Sequence, residues 1–248
     1  MKKAILVAII GAMTLGVNAG DWGEAPVDKT PIEECVDIGG SISVGYDTDF
    51  VFYGARFTTD SIWTDVNYTI VTGIADLNVG FWYLDGIDDG YDELDLYVST
   101  GLGTYAGFDA SLTYIHYLFP SGGPSTGDLT LGLGTSLGFA DFSISATSGL
   151  DIGNFDYWYY EAGIEKAFSV TDSLELVVGA GLAYDDGYKG VSDLSHYYVT
   201  ASTTFELNCR ASVTPYVSYQ GAPTGWAADG YGGQSDILYG GVSLSVSF

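Results

Sequence analysis

Positive charge is scarce in this sequence: seven Lys and Arg stand against 32 Asp and Glu, for a formal net charge of −25. A chain so acidic repels a phosphate backbone, which excludes nucleic acid as a partner. Proline is also scarce, with six in 248 residues, so few positions forbid strand pairing. Cys35 and Cys209 are the only cysteines, and no His, Cys, Asp or Glu spacing matches a metal-ligand motif. Neither a metal nor a cofactor is expected. Beyond the first residues, no uninterrupted apolar run approaches the roughly 20 residues that a spanning helix needs.

What the chain does contain is alternation. From Ile237 to Phe248, Leu238, Gly240, Val242, Leu244, Val246 and Phe248 share one face of a strand, and Tyr239, Gly241, Ser243, Ser245 and Ser247 share the other. A strand this regular should be paired to its last residue, as it would be where the final strand of a closed barrel zips against the first. A terminal Phe on such a strand resembles the assembly signal of bacterial outer-membrane barrels, so Phe248 is expected to engage the barrel-assembly machinery. An edge strand of a soluble sandwich is the competing reading.

Earlier segments repeat the pattern. Lys2 and Lys3, the apolar run Ala4 to Leu15 and the small-residue end Val17-Asn18-Ala19 read as a signal peptide over residues 1–19. Removing its two lysines takes the formal charge to −27. Residues 20–40 carry acids, Pro26 and Pro31 without periodicity and read as a periplasmic lead segment. Residues 41–248 then divide into about twelve alternating strands, an even number that puts both ends on the periplasmic side. The fold expected is all-β: a single antiparallel, up-and-down transmembrane barrel in the outer membrane of a Gram-negative cell. Its 20 tyrosines suit the aromatic girdles of such a barrel. Short turns alternate with longer Gly/Asp-rich loops, an asymmetry that favours the barrel over a sandwich.

The first strand is expected to turn Ile42, Val44, Tyr46, Phe50 and Phe52 to lipid and Ser43, Asp47 and Asp49 inward, followed by an extracellular turn over Gly54 to Asp60. The stretch Val44-Gly45-Tyr46-Asp47-Thr48-Asp49-Phe50-Val51-Phe52-Tyr53-Gly54 resembles the opening strand of the TorF-type family of bacterial porins, where a Ser-Asp-Tyr-Val-Phe-Arg-Gly run ends that strand. Tyr53 stands where the family has Arg. The resemblance implies an outer-membrane barrel and carries no catalytic or binding residue across.

On the inward faces the alternation collects Asp47, Asp49, Asp65, Asp76, Glu93, Asp95, Asp109, Asp141, Glu161, Glu165 and Glu175, with no Lys or Arg clearly among them. Carboxylates projecting into water would make the lumen strongly negative, which favours cations in a narrow pore. Gly179, Gly181, Ser243 and Ser245 leave room for water, while Trp63, Trp82, Tyr97 and Tyr198 narrow it. The function expected is a narrow, acidic, cation-preferring channel for ions or small polar solutes. A structural, adhesive or receptor barrel with a plugged lumen is the alternative, its ligand carried by Trp226 and Tyr231 on the Gly221 to Asp236 loop. Partners follow from the location: outer-membrane lipid, lipopolysaccharide, small cations or polar solutes, and further copies of the chain should it oligomerise.

No catalysis is expected. Lipid hydrolysis at the rim would need a nucleophile beside a base, and Ser195 and His196, as strand neighbours, should face opposite ways. The acidic loop Asp85 to Asp92 and Asp185-Asp186-Gly187 could offer oxygen ligands to calcium but reads more simply as solvated tips. Cys35 and Cys209 fall on the periplasmic side, either as two thiols or as a bridge tying the lead segment to the barrel. Such a bridge closes a loop of roughly 170 residues, with an idealised gain of about 4 to 5 kcal/mol.

Overall fold

The computed structural model describes residues 38–87, 90–151, 154–171, 174–231 and 236–248. The expected signal peptide, nearly all of the lead segment and Cys35 lie outside these residues. Among the described residues, thirteen strand segments form one antiparallel sheet: β1 (Gly40–Phe52), β2 (Ala55–Ile70), β3 (Leu77–Gly86), β4 (Asp92–Tyr105), β5 (Phe108–Leu118), β6 (Thr126–Ser136), β7 (Asp141–Asp151), β8 (Asn154–Thr171), β9 (Leu174–Asp186), β10 (Ser192–Thr203), β11 (Phe205–Glu206), β12 (Ala211–Gly221) and β13 (Asp236–Ser247). The two-residue β11 prolongs β10, because both pair with β12. Twelve staves therefore follow one another around the wall, and β1 pairs with β13 to close it. This is the up-and-down barrel that the alternation implies.

Closure extends to the last residue. Gly40 N donates to the Phe248 carbonyl at 3.1 Å and Phe248 N donates back to the Gly40 carbonyl at 2.9 Å. The register sets Ile42 opposite Val246 and Val44 opposite Leu244, so greasy rows of neighbouring strands coincide. Ile42, Val44, Ile62, Leu96, Leu131, Ile144, Ile164, Leu182, Val199, Val242 and Leu244 are all exposed on the outer wall. A barrel that is apolar outside and polar inside is stable only with lipid around it. Many of the exposed aromatics form two belts, Tyr105, Phe139, Phe168 and Phe205 at the end carrying the termini and Trp158, Tyr160, Tyr184 and Tyr219 toward the far end, with Phe81 between them.

Several inward aromatics lie flat over a glycine directly across the ladder: Trp63 over Gly45, Tyr97 over Gly80 and Tyr198 over Gly181. The missing Cβ is what admits each ring. At Gly181 an added Cβ would come within 2.4 Å of the Tyr198 ring, whose hydroxyl donates to Glu161 Oε1 at 2.8 Å. Gly181→Val should displace that ring and destabilise the barrel by about 1 to 3 kcal/mol, the usual cost of overpacking. Urea unfolding from lipid vesicles, followed by tryptophan fluorescence, measures it, and an unchanged midpoint would contradict the packing argument.

The wall's largest departure from regularity lies between β1 and β2. Pairing of β1 to β13 ends at Asp47, and pairing of β2 to β3 starts at Ser61. The hairpin between them, Thr48 to Asp60, has no ladder partner in β13 or β3 and folds into the lumen. Its kinks are visible in the backbone: Asp60 has φ 50°, and a register shift falls between Phe50 and Val51. At the tip, Phe52 pairs with Ala55 across Tyr53 (φ 46°) and Gly54 (φ 80°), the two left-handed residues of a type I′ turn. The expected outward placement of Phe50 and Phe52 is therefore corrected: both faces of the folded-in hairpin are enclosed, and Phe50 packs with Trp63, Trp82 and Leu84 inside, with Phe52 against it. The turn expected over Gly54 to Asp60 shrinks to Tyr53 and Gly54, and the remainder is strand.

Candidate functional site: the plugged lumen

The hairpin tip crosses the lumen and is tied to the wall around its circumference. Tyr53 OH donates to Asp128 Oδ2 on β6 at 2.8 Å, and its ring lies tilted by 30° against Tyr159 of β8 with centroids 4.1 Å apart. Phe52 meets Tyr117 of β5 edge-on at 5.8 Å. Gln220 of β12 donates to the Gly54 carbonyl at 3.0 Å. Lys189, on the β9–β10 connection, donates to the Tyr53 carbonyl. On the β13 side, Val51 packs with Ile237 and Tyr239. Gly54 has a second requirement besides its φ, since a Cβ there would stand 2.5 Å from the His196 ring.

Asp128 is the hub of this latch. Fully buried, it accepts from Tyr53, from Tyr117 at 3.0 Å and from Tyr157 at 2.5 Å. An ionised carboxylate offers lone pairs to all three phenols at once, and such charge-assisted bonds are the strong kind. Asp128 is absent from the inward acids expected from the alternation, because a single acid between Gly127 and Leu129 gives little periodic signal.

The acids singled out from sequence separate into three levels. Asp47, Asp49, Glu93 and Asp95 are buried around the plug. Asp47 accepts from Tyr216 at 2.7 Å, Asp49 pairs with Arg56 of the hairpin at 2.7 Å, and Glu93 accepts from Tyr91. Nearer the terminal end, Asp65 accepts from Asn67 at 2.9 Å and from Tyr97 at 2.9 Å, and Glu161, Glu165 and Glu175 are half-buried. Asp76 and Asp141 are exposed and Asp109 is half-buried, all three at turns of that end. Bases do join the lumen: Arg56 arrives with the hairpin, and Lys189 pairs with Asp185 at 3.0 Å, both side chains almost completely buried. Burial pushes the Lys189 ammonium below its ordinary pKa, and the Asp185 carboxylate pulls it back up.

Ser195 and His196 also depart from expectation. A register shift between Leu194 and Tyr197 places two residues of β10 against one of β9, and both side chains turn inward. They are buried, with His196 Nδ1 3.1 Å from Ser195 Oγ, beneath the hairpin tip. The other arrangement with a hydrolase look, Gly134-Thr135-Ser136-Leu137-Gly138, lies at the β6–β7 turn, where the Ser136 hydroxyl accepts from Gly138 N at 3.4 Å. Trp226 does not stand free but packs edge-on against Tyr197, and Ala227 N and Ala228 N of the same loop donate to Leu194 and Ser195 carbonyls. Among the described residues no group of three or more His, Cys, Asp or Glu is placed to hold a metal ion. Cys209 is not a free thiol.

No family model matches this sequence, and no curated protein does. Solved structures do match in fold. The KdgM porin in complex with disordered oligogalacturonate is 9% identical with a TM-score of 0.55, covering 84% of this chain and 99% of that one. The COG4313 outer membrane channel from Pseudomonas putida F1 is 11% identical with a TM-score of 0.55, covering 90% of this chain and all of the other. At such identities the likeness is one of fold. Together with the lipid-facing wall and its two aromatic belts, it defines the class: the chain is an outer-membrane β-barrel.

Proposed function

We propose that this barrel is a narrow, cation-preferring channel for ions or small polar solutes, shut at its extracellular end by the Thr48 to Asp60 hairpin. One observation carries the reading: the obstruction is a single folded-in segment rather than the wall itself. Toward the terminal end small and polar inward positions, among them Ser43, Ser245, Gly179 and Asn67, stand beside the Tyr97 and Tyr198 rings. Twelve strands enclose an interior between the filled core of an eight-stranded barrel and the aqueous channel of a porin. Half-buried Asp65, Glu161, Glu165 and Glu175 line it, with neither Arg56 nor Lys189 at that level. A field of that sign draws cations and repels anions.

The experiment is a salt gradient across a planar bilayer. Openings should reverse at the sign set by cation permeation, and Glu161→Gln together with Glu165→Gln should move the reversal potential toward zero. Anion preference in the parent protein would overturn the reading. TorF-type membership, suggested by Val44 to Gly54, and a Cys35–Cys209 bridge at the periplasmic base belong to the same proposal. The Tyr53 that replaces the family's Arg is the residue that reaches Asp128. A permanently plugged barrel serving adhesion is favoured by one observation, the number of staves to which the hairpin is tied.

A further inference from the structure

The most unusual group in the lumen is Lys189. Its Nζ lies 5.0, 5.5 and 5.8 Å from the ring centroids of Tyr188, Tyr231 and Tyr159. It donates to Asp185 Oδ2 at 3.0 Å, to Ser195 Oγ at 3.3 Å and to the Tyr53 carbonyl. Three ring faces and a buried carboxylate make a cage for an organic cation, and three acceptors match the three N–H bonds of a primary ammonium. Most of the cage stands apart from the lysine's own connection: Asp185, Ser195 and Tyr159 are wall residues and Tyr231 belongs to the β12–β13 connection, whereas only Tyr188 comes with Lys189 from the β9–β10 connection, which has Gly187 (φ 106°) and Gly190 (φ 78°) on either side. Tyr231, 41% exposed, stands on its outer side.

We propose that this cage is a binding site for primary alkylammonium groups, filled by the chain's own Lys189, and that an ammonium in it helps to hold the hairpin tip down. The inference rests on the channel reading and deepens it. An N–H donor that bridges Asp185 to the Tyr53 carbonyl holds the hairpin docked together with the Asp128 and Gln220 ties. Organic amines are then the class of solute the far end of this barrel recognises.

Lys189→Ala removes the equivalent of one n-propylammonium and tests the idea by refilling. Folded Lys189→Ala protein, identified by its gel mobility before heating, should bind n-propylammonium saturably in calorimetry, while sodium at equal ionic strength gives no heat beyond dilution. Lys189→Met, whose stem still fills the cage, and the double variant Lys189→Ala with Asp185→Asn should not bind it. In bilayers Lys189→Ala should open at least tenfold more often than the parent, and n-propylammonium should close it again. Failure of n-propylammonium to bind Lys189→Ala overturns the site. A Lys189→Ala channel as closed as the parent, beside a hairpin-shortened variant that conducts, overturns the latch. Silence of every variant, including the shortened one, overturns the channel reading, and calorimetry still decides the site.

Discussion

Replacing Phe50 to Phe57 with a short Gly-rich turn should raise the conductance of the barrel on the order of tenfold, from brief small openings to a steady current. The expectation follows from where the obstruction lies. The removed segment supplies Phe50, Phe52, Phe57 and Tyr53, the rings that meet Trp82, Tyr91, Tyr117 and Tyr159 across the interior. The wall does not need it, since β1 remains paired to β13 from Ser41 through Asp47 and β2 to β3 from Ser61 through Ile70. The variant should therefore insert and refold like the parent. An unchanged conductance in a correctly folded variant would mean that a second constriction closes the lumen.

Asp128→Leu should free the hairpin without shortening it. The substitution removes the acceptor of three phenols and leaves their hydroxyls buried with no partner there. Of the three bonds only Tyr53's joins the hairpin to the wall. A hydrogen bond to a charged group contributes about 1.5 to 3 kcal/mol, and a phenol buried without its acceptor puts the expected loss in docking at the upper end, about 3 kcal/mol. That corresponds to roughly a hundredfold larger undocked population. Trypsin can read it through Arg56, which is held by Asp49 inside the plug and becomes accessible when the hairpin leaves. Cleavage after Arg56 should accelerate by about that factor, with Asp128→Asn between the two because its amide retains one oxygen for two of the donors. Equal cleavage of all three proteins would show that the phenol cluster does not hold the plug.

Most of the wall could be read from the alternation of Leu, Val and Ile with Ser, Thr and Gly, because a period of two has one physical meaning in a chain that faces lipid outside and water inside. The plug could not. Phe50 and Phe52 continue the outward phase of Ile42, Val44 and Tyr46, and they are enclosed because the hairpin beyond Asp47 leaves the wall and folds into the lumen, its kinks marked by the left-handed Asp60 and a register shift. Neither leaves a mark in an Asp or a Phe read by type alone. Ser195 and His196 escaped for the same reason, since one extra residue in β10 aims neighbours the same way. Asp128 and Lys189 matter because of partners 75 and 136 residues distant, which periodicity along the chain does not register.

Those separations bear on how the molecule is made. The tip of the hairpin is anchored by β5, β6, β8 and β12, and its bond to Gln220 spans 166 residues. None of these anchors surrounds it until the cylinder has formed. Docking must come last in assembly, so every copy of the protein passes through an unstoppered stage, and the hole is made before its cork is seated.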